Sequence, residues 1–228
     1  MPEIKHHYSN RLPIVRSMVM GANDGLISIS ALVVGLASTN TESEQVFIVS
    51  IIGLLSGAIS MGAGEFLSVS AQRDSEIADI DRESISHKDF PDKEHLELIE
   101  MFKSRGISQK LSEEIANEAK KDKDLLLKLH LKEELGFEGE LKSDPIKAAL
   151  ISFVSFLVGG SVPVLTNFIS SSSHAVAYIT SYTILGLVIL GGFSAKLGGS
   201  SILKGCMRIG IIGSLILLFS IYLGRYLS

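Results

Sequence analysis

Among its 228 residues the chain has one cysteine, Cys206. A lone thiol excludes an internal disulfide framework and a cysteine-type zinc or iron–sulfur site. Charge is also scarce, at 20% Asp, Glu, Lys and Arg against 46% hydrophobic residues. With a positive mean hydropathy and 21 glycines, this balance favours a membrane protein over one or two soluble domains. The first fifteen residues, MPEIKHHYSNRLPIV, are polar and basic, so no cleavable signal peptide is expected. Several motifs are missing too. There is no G-x-x-x-x-G-K-[ST], no D-x-[DN]-x-[DN]-G around Asp122 and Asp124, and no nucleophile elbow or triad. His130-x-x-Glu133 runs opposite to the Glu-x-x-His of di-iron bundles. No enzyme is expected.

What charge there is lies in one place. Residues 72–144 hold 20 of the 25 acids and 13 of the 21 bases. Long apolar tracts lie on either side, and five can be marked, at about 17–38, 46–71, 146–168, 175–195 and 202–223. The leading tail carries Lys5, Arg11 and Arg16, whereas the loop TNTESEQ has two acids and no base. NFISSSSH lacks Asp, Glu, Lys and Arg, and SAKLGGSSILKG has Lys196 and Lys204. The positive-inside bias then places the N-terminus and the charged insert in the cytosol and the C-terminus outside. The expected organisation is a tail (1–16), two spans (17–71), a helical insert (72–144) and three further spans (145–228). The expected fold is that of an all-α, polytopic membrane protein with five transmembrane helices and a cytoplasmic insert. An acidic insert argues for cations as partners and against nucleic acid or an anionic lipid surface.

The stretch Val46–Ser86 organises the rest. No proline interrupts it, so one helix is expected to leave the membrane and carry Glu76, Asp79 and Glu83 on a single face. A charge at membrane depth is by default functional. Lys147, Lys204 and Arg208 are near predicted cytoplasmic ends, where their heads can snorkel. Asp24 and Glu65 are not. Counted from those ends, both lie ~10 Å deep at ~1.5 Å per residue, which suggests one shared site. The competing readings are a surface turn at Asn23-Asp24-Gly25 and a packing pair between Glu65 and Arg208. Met61, one turn from Glu65, has the spacing of core filler or of a soft ligand. Gly53 and Gly57 with their small neighbours predict a close helix interface or a dimer seam.

The insert should hold a helix from Asp92, as cap, through Arg105. A second is expected from Ser108 toward Lys121, and a third from about Asp122 to Leu135 before Gly136. Most of its charges read as a solvated, salt-bridged surface. Two groupings resist that reading. Glu94, Glu97 and Glu100 repel one another on one helix face unless a cation intervenes; His130, Glu133 and Glu134 share a face of the last helix. Together with Glu83 they suit Mn(II), Fe(II) or Zn(II) better than Cu(I).

GANDGLISISALVVGLAST, SGAISMGAGEFLSVSAQRD, KEELGFE and DPIKAALISFVSFLVGGSVPVL together resemble the vacuolar iron transporter family, including its yeast vacuolar calcium/iron carriers and plant nodulin-like members. The resemblance spans nearly the whole chain. It implies five membrane helices, a homodimeric pore, a cytoplasmic metal-binding insert, and movement of Fe(II) or Mn(II) out of the cytosol, often against protons. It also implies a pore Asp at Asp24, a pore Met at Met61, and insert ligands at Glu83, Glu94, Glu97 and Glu134. Some positions depart from the family pattern. A pore Glu falls on Gly53, with Glu65 as its substitute; an insert Glu falls on Ser86; and paired methionines fall on His130 and Leu131. Zn(II) is therefore a further candidate cargo. The expectation is a metal/proton exchanger in a prokaryotic plasma membrane or, otherwise, a vacuolar or other organelle membrane. The alternative is a membrane-anchored metal sensor or storage platform without translocation.

Overall fold

The computed structural model describes residues 12–136, 144–170 and 174–228, and every regular element among them is an α-helix. In chain order these are α1 (Leu12–Ala37), α2 (Ser43–Asp89), α3 (Pro91–Ser104), α4 (Gln109–Ala119), α5 (Lys123–Leu135), α6 (Pro145–Ile169), α7 (Ala175–Leu197) and α8 (Ile202–Tyr226). Five of them, α1, α2, α6, α7 and α8, are long and apolar enough to cross a bilayer. The protein is a multi-pass membrane protein. Its described chain divides into two compact units, Met1–Ser68 with Pro145–Ser228, and Val69–Asp144, and α2 contributes residues to both.

In the larger unit α1 packs against α6, α7 and α8. Its buried face follows the helical period: Leu26, Ile29, Val33 and Val34 are at most 3% exposed. Outward-facing Leu203, Leu215, Leu218 and Phe219 are all more than 60% exposed. Water would penalise so broad an apolar exterior, and lipid does not. Buried hydroxyls pair between helices, as Ser30 and Thr183 do at 2.7 Å.

The tightest seam is between α1 and α6. A Cβ on Gly159 would collide with the Ala22 carbonyl oxygen, and one on Gly25 with the Phe156 carbonyl oxygen. The α2 stripe expected to bring backbones together is met by side chains instead: Leu32 faces Gly53, the Phe156 ring faces Gly57, and Gly64 has open space beside it. Gly159→Ala is therefore expected to cost about 1–3 kcal/mol through overpacking. Thermal unfolding in detergent measures this, and an unchanged midpoint would show that the seam has slack.

The smaller unit is built around Leu98, Ile99, Phe102, Ala116, Ala119 and Leu126. The start of α4 is capped by Ser108, whose hydroxyl accepts from the Leu111 amide. At α5, Asp122 accepts from the Asp124 and Leu125 amides at 3.0 and 3.2 Å. Gly136, at φ 67°, ends α5 in the left-handed conformation that favours glycine. The start of α3 differs from expectation. Its N-cap is Phe90 with Pro91 as first helical residue, because a residue before proline is driven out of helical conformation. Asp92 lies in the first turn and pairs with Lys120 at 2.9 Å. The hydrogen bond and charge of Lys120 hold the Asp92 carboxyl below its ordinary range.

Candidate metal sites

Asp24, Met61 and Glu65 line one groove of about 500 Å³ in the larger unit. Met20, Asp24 and Ser28 reach it from α1 at four-residue spacing; Gly57, Ser60, Met61, Gly64, Glu65 and Ser68 reach it from α2, with Phe156 from α6. Asp24 is exposed to the groove, and among the described residues no basic side chain pairs with it. Its continuous helical surroundings rule out the surface-turn reading.

Glu65 is only 8% exposed, and Ser17 Oγ donates to its Oε1 at 2.5 Å. Its charged neighbour is Arg16, with Nη2 3.8 Å from the same oxygen. The pairing considered with Arg208 does not occur.

The matched depth expected for the two acids is also corrected. Glu65 meets Ser17, and Gly53 meets Leu32 and Ile29, so α1 and α2 run antiparallel. Asp24 is seven residues beyond Ser17, ~10 Å along the axis at ~1.5 Å per residue. The register puts Asp24 opposite the Ala58–Met61 turn. The groove therefore has Glu65 toward one end and Met61 and Asp24 further along it.

The second cluster lies in the smaller unit. Glu83, His87, Glu94 and His130 each offer a ligand atom, all within 4.8 Å of one another. His130 is fully buried, and its Nε2 is 2.8 Å from the Glu94 backbone carbonyl oxygen. A carbonyl only accepts, so Nε2 carries the proton and, in the neutral ring, Nδ1 carries the lone pair. Nδ1 faces Glu83 Oε1 at 3.0 Å and Glu94 Oε2 at 3.5 Å. A lone pair between two carboxylate oxygens is repulsive unless a proton or a metal cation intervenes. The carbonyl behind the imidazole is the outer partner that fixes a ligating histidine. Ser86 donates to Glu94 Oε1 at 2.5 Å and orients that carboxylate.

His87 was missed by the sequence reading, which followed the long helix only to Ser86, whereas α2 runs on to Asp89. His87 lies four residues from Glu83, which was the available signal. Its Nε2 is 3.3 Å from Glu83 Oε1 but off the donor axis, leaving a buried nitrogen without a hydrogen bond. Burial, then the neighbouring His130, pushes its pKa below the ordinary histidine value, which favours the neutral, ligating ring.

Glu97 and Glu134 are exposed at the rim rather than in the cluster. Glu100 pairs with Lys103 at 2.6 Å, and Glu133 with Arg105 at 2.8 Å, so both are neutralised without metal. Burial first, then the charges of Glu83 and Glu97, raises the Glu134 pKa above the ordinary glutamate value. A raised carboxyl pKa means the folded protein holds that proton more tightly than the unfolded chain, so keeping the ionised group in the fold costs stability that grows as pH rises from the ordinary glutamate value through the raised one. A bound cation offsets that cost. Metal affinity of the cluster is expected to rise from about pH 5 to pH 7, and Glu134→Gln should flatten the rise. Calorimetric titration across that interval checks it, and an unaltered slope in the variant would remove Glu134 from the site.

The matches to known proteins agree in kind. The model of the VIT family matches residues 15–225. The chain is 32% identical to a vacuolar iron transporter of Acanthamoeba castellanii, over 92% of this chain and 77% of that protein. It is 29% identical to vacuolar iron transporter 1 of Tulipa gesneriana, over 89% and 82%. With vacuolar iron transporter homolog 2.1 of Arabidopsis thaliana it shares 28% identity, over 97% and 84%. A polytopic helical chain whose spans are matched nearly end to end belongs to the VIT family.

Proposed function

We propose that the protein is a homodimeric carrier that moves Fe(II) or Mn(II) out of the cytosol in exchange for protons. The observation that carries this reading is the groove, in which two carboxylates and a thioether line one path at successive levels. Hard oxygen and soft sulfur together suit borderline first-row cations. The cluster of Glu83, His87, Glu94 and His130 collects the ion, and its two imidazoles keep Zn(II) as a third candidate cargo. Protons compete with metal at the same carboxylates, which gives exchange a physical route. The groove is open along α2, where its lining residues Ser60, Gly64 and Ser68 are exposed, and a second copy would close it. The relatives are named for the vacuole, which supports an organelle membrane. A sensor without translocation would favour a packed pair of Glu65 with Arg208, and Glu65 is engaged by Ser17 and Arg16 instead.

The test is flux in reconstituted liposomes with Fe(II), Mn(II) and Zn(II), with and without a pH gradient. Metal entry that accelerates with an opposing proton gradient is expected. Flux indifferent to the gradient would leave a passive channel, and absence of flux for all three ions would reject the carrier.

A further inference from the structure

Glu65 is held from α1 at two points. Ser17, itself buried, donates to Oε1, while Arg16 stands 3.8 Å from the same oxygen with 63% of its side chain exposed. Asp24, further along the groove, has no such cation among the described residues. The acid at one end of the groove is thus already faced by a positive charge tethered to the neighbouring helix.

We propose that Arg16 is a displaceable counter-ion for Glu65, occupying the place of an incoming cation whenever the groove carries none, while Ser17 keeps the carboxylate aimed at that place. This rests on reading Glu65 as a groove ligand for metal. An ion pair with one largely exposed member is weak, as a displaceable partner must be, and the guanidinium head already reaches solvent to which it can retreat. A guanidinium is a permanent cation, so release depends on the arriving ion. A monovalent cation replaces one charge with one charge and gains nothing to offset its lost hydration. A divalent cation brings an additional charge to the same carboxylate. Arg16 therefore sets a threshold that divalent ions cross more readily than monovalent ones.

The experiment uses the full-length protein in liposomes, with Mn(II) supplied from the side of the N-terminus. Arg16→Gln is expected to lower half-saturating Mn(II) about threefold, the scale of such a pair, and to admit more Na⁺. Arg16→Lys should behave as the parent. Millimolar guanidinium should raise half-saturation in Arg16→Gln and leave the parent unchanged, an effect that a merely structural arginine would not produce. Unchanged or raised half-saturation in Arg16→Gln, or an equal shift in Arg16→Lys, would overturn the proposal. Asp24→Asn run alongside separates the two readings. If it carries metal like the parent, the pore assignment itself fails; if it is silent while Arg16→Gln is unaltered, only the counter-ion fails.

Discussion

Asp24→Asn is expected to reduce divalent-metal flux on the order of a hundredfold without altering thermal stability. The amide keeps the size of the carboxylate and removes its charge. Because no basic side chain pairs with Asp24 among the described residues, no native ion pair is lost. The effect falls on an ion passing the Ala58–Met61 turn, which loses the one anionic ligand at that level. First-row cations bind carboxylate far better than amide, and losses of ten- to a hundredfold follow even from disturbing a ligand's outer partners. Met61→Ala should be milder and selective, reducing Fe(II) flux more than Mn(II) because a thioether favours the softer ion. Liposome flux with both ions decides this. Full activity in Asp24→Asn would remove the groove from the transport path.

The second large effect belongs to His130. His130→Ala should weaken metal binding by about a hundredfold or more and also destabilise the smaller unit, because the imidazole does two jobs. Its Nδ1 is the nitrogen between Glu83 and Glu94, and its Nε2 satisfies the Glu94 carbonyl. Removing the ring takes away a second hydrogen bond to that helical carbonyl, worth about 0.5–1.5 kcal/mol, and opens a void at a fully buried position. Glu133→Gln is the control, since it breaks only the ion pair with Arg105. Calorimetric titration of the full protein with Mn(II) and Zn(II), with thermal unfolding beside it, reads both consequences. Retained affinity in His130→Ala would place the metal elsewhere.

Much of this architecture was legible from residue pattern. The five spans were marked within a few residues, except that α1 begins at Leu12 rather than near Ser17. The starts of α4 and α5 and the stop of α5 were readable because Ser108, Asp122 and Gly136 act through their own local chemistry. Asp24, Met61 and Glu65 stood out as unusual groups in apolar helices. The relative depth of the two acids was not legible. It was counted from an assumed helix start, whereas the antiparallel register of α1 and α2 is set by which side chains meet. Arg16 and Ser17 were passed over because a basic residue near a membrane edge usually anchors topology. The α1–α6 seam escaped because Gly21, Gly25 and Gly159 become informative only when their helices are known to cross.

That seam has a bearing on ionic radius. Asp24 stands on a wall whose backbone touches its neighbour at Gly25 and Gly159, while Met61 stands on a helix that meets that wall mainly through side chains. One lip of the groove is stiff and the other compliant, because side chains yield where backbone does not. Such a lip can close around cations that differ by tenths of an ångström in bond length, so sieving by size is expected to be weak. Fe(II), Mn(II) and Co(II) should then traverse at rates within about tenfold of one another, a spread worth only ~1.4 kcal/mol.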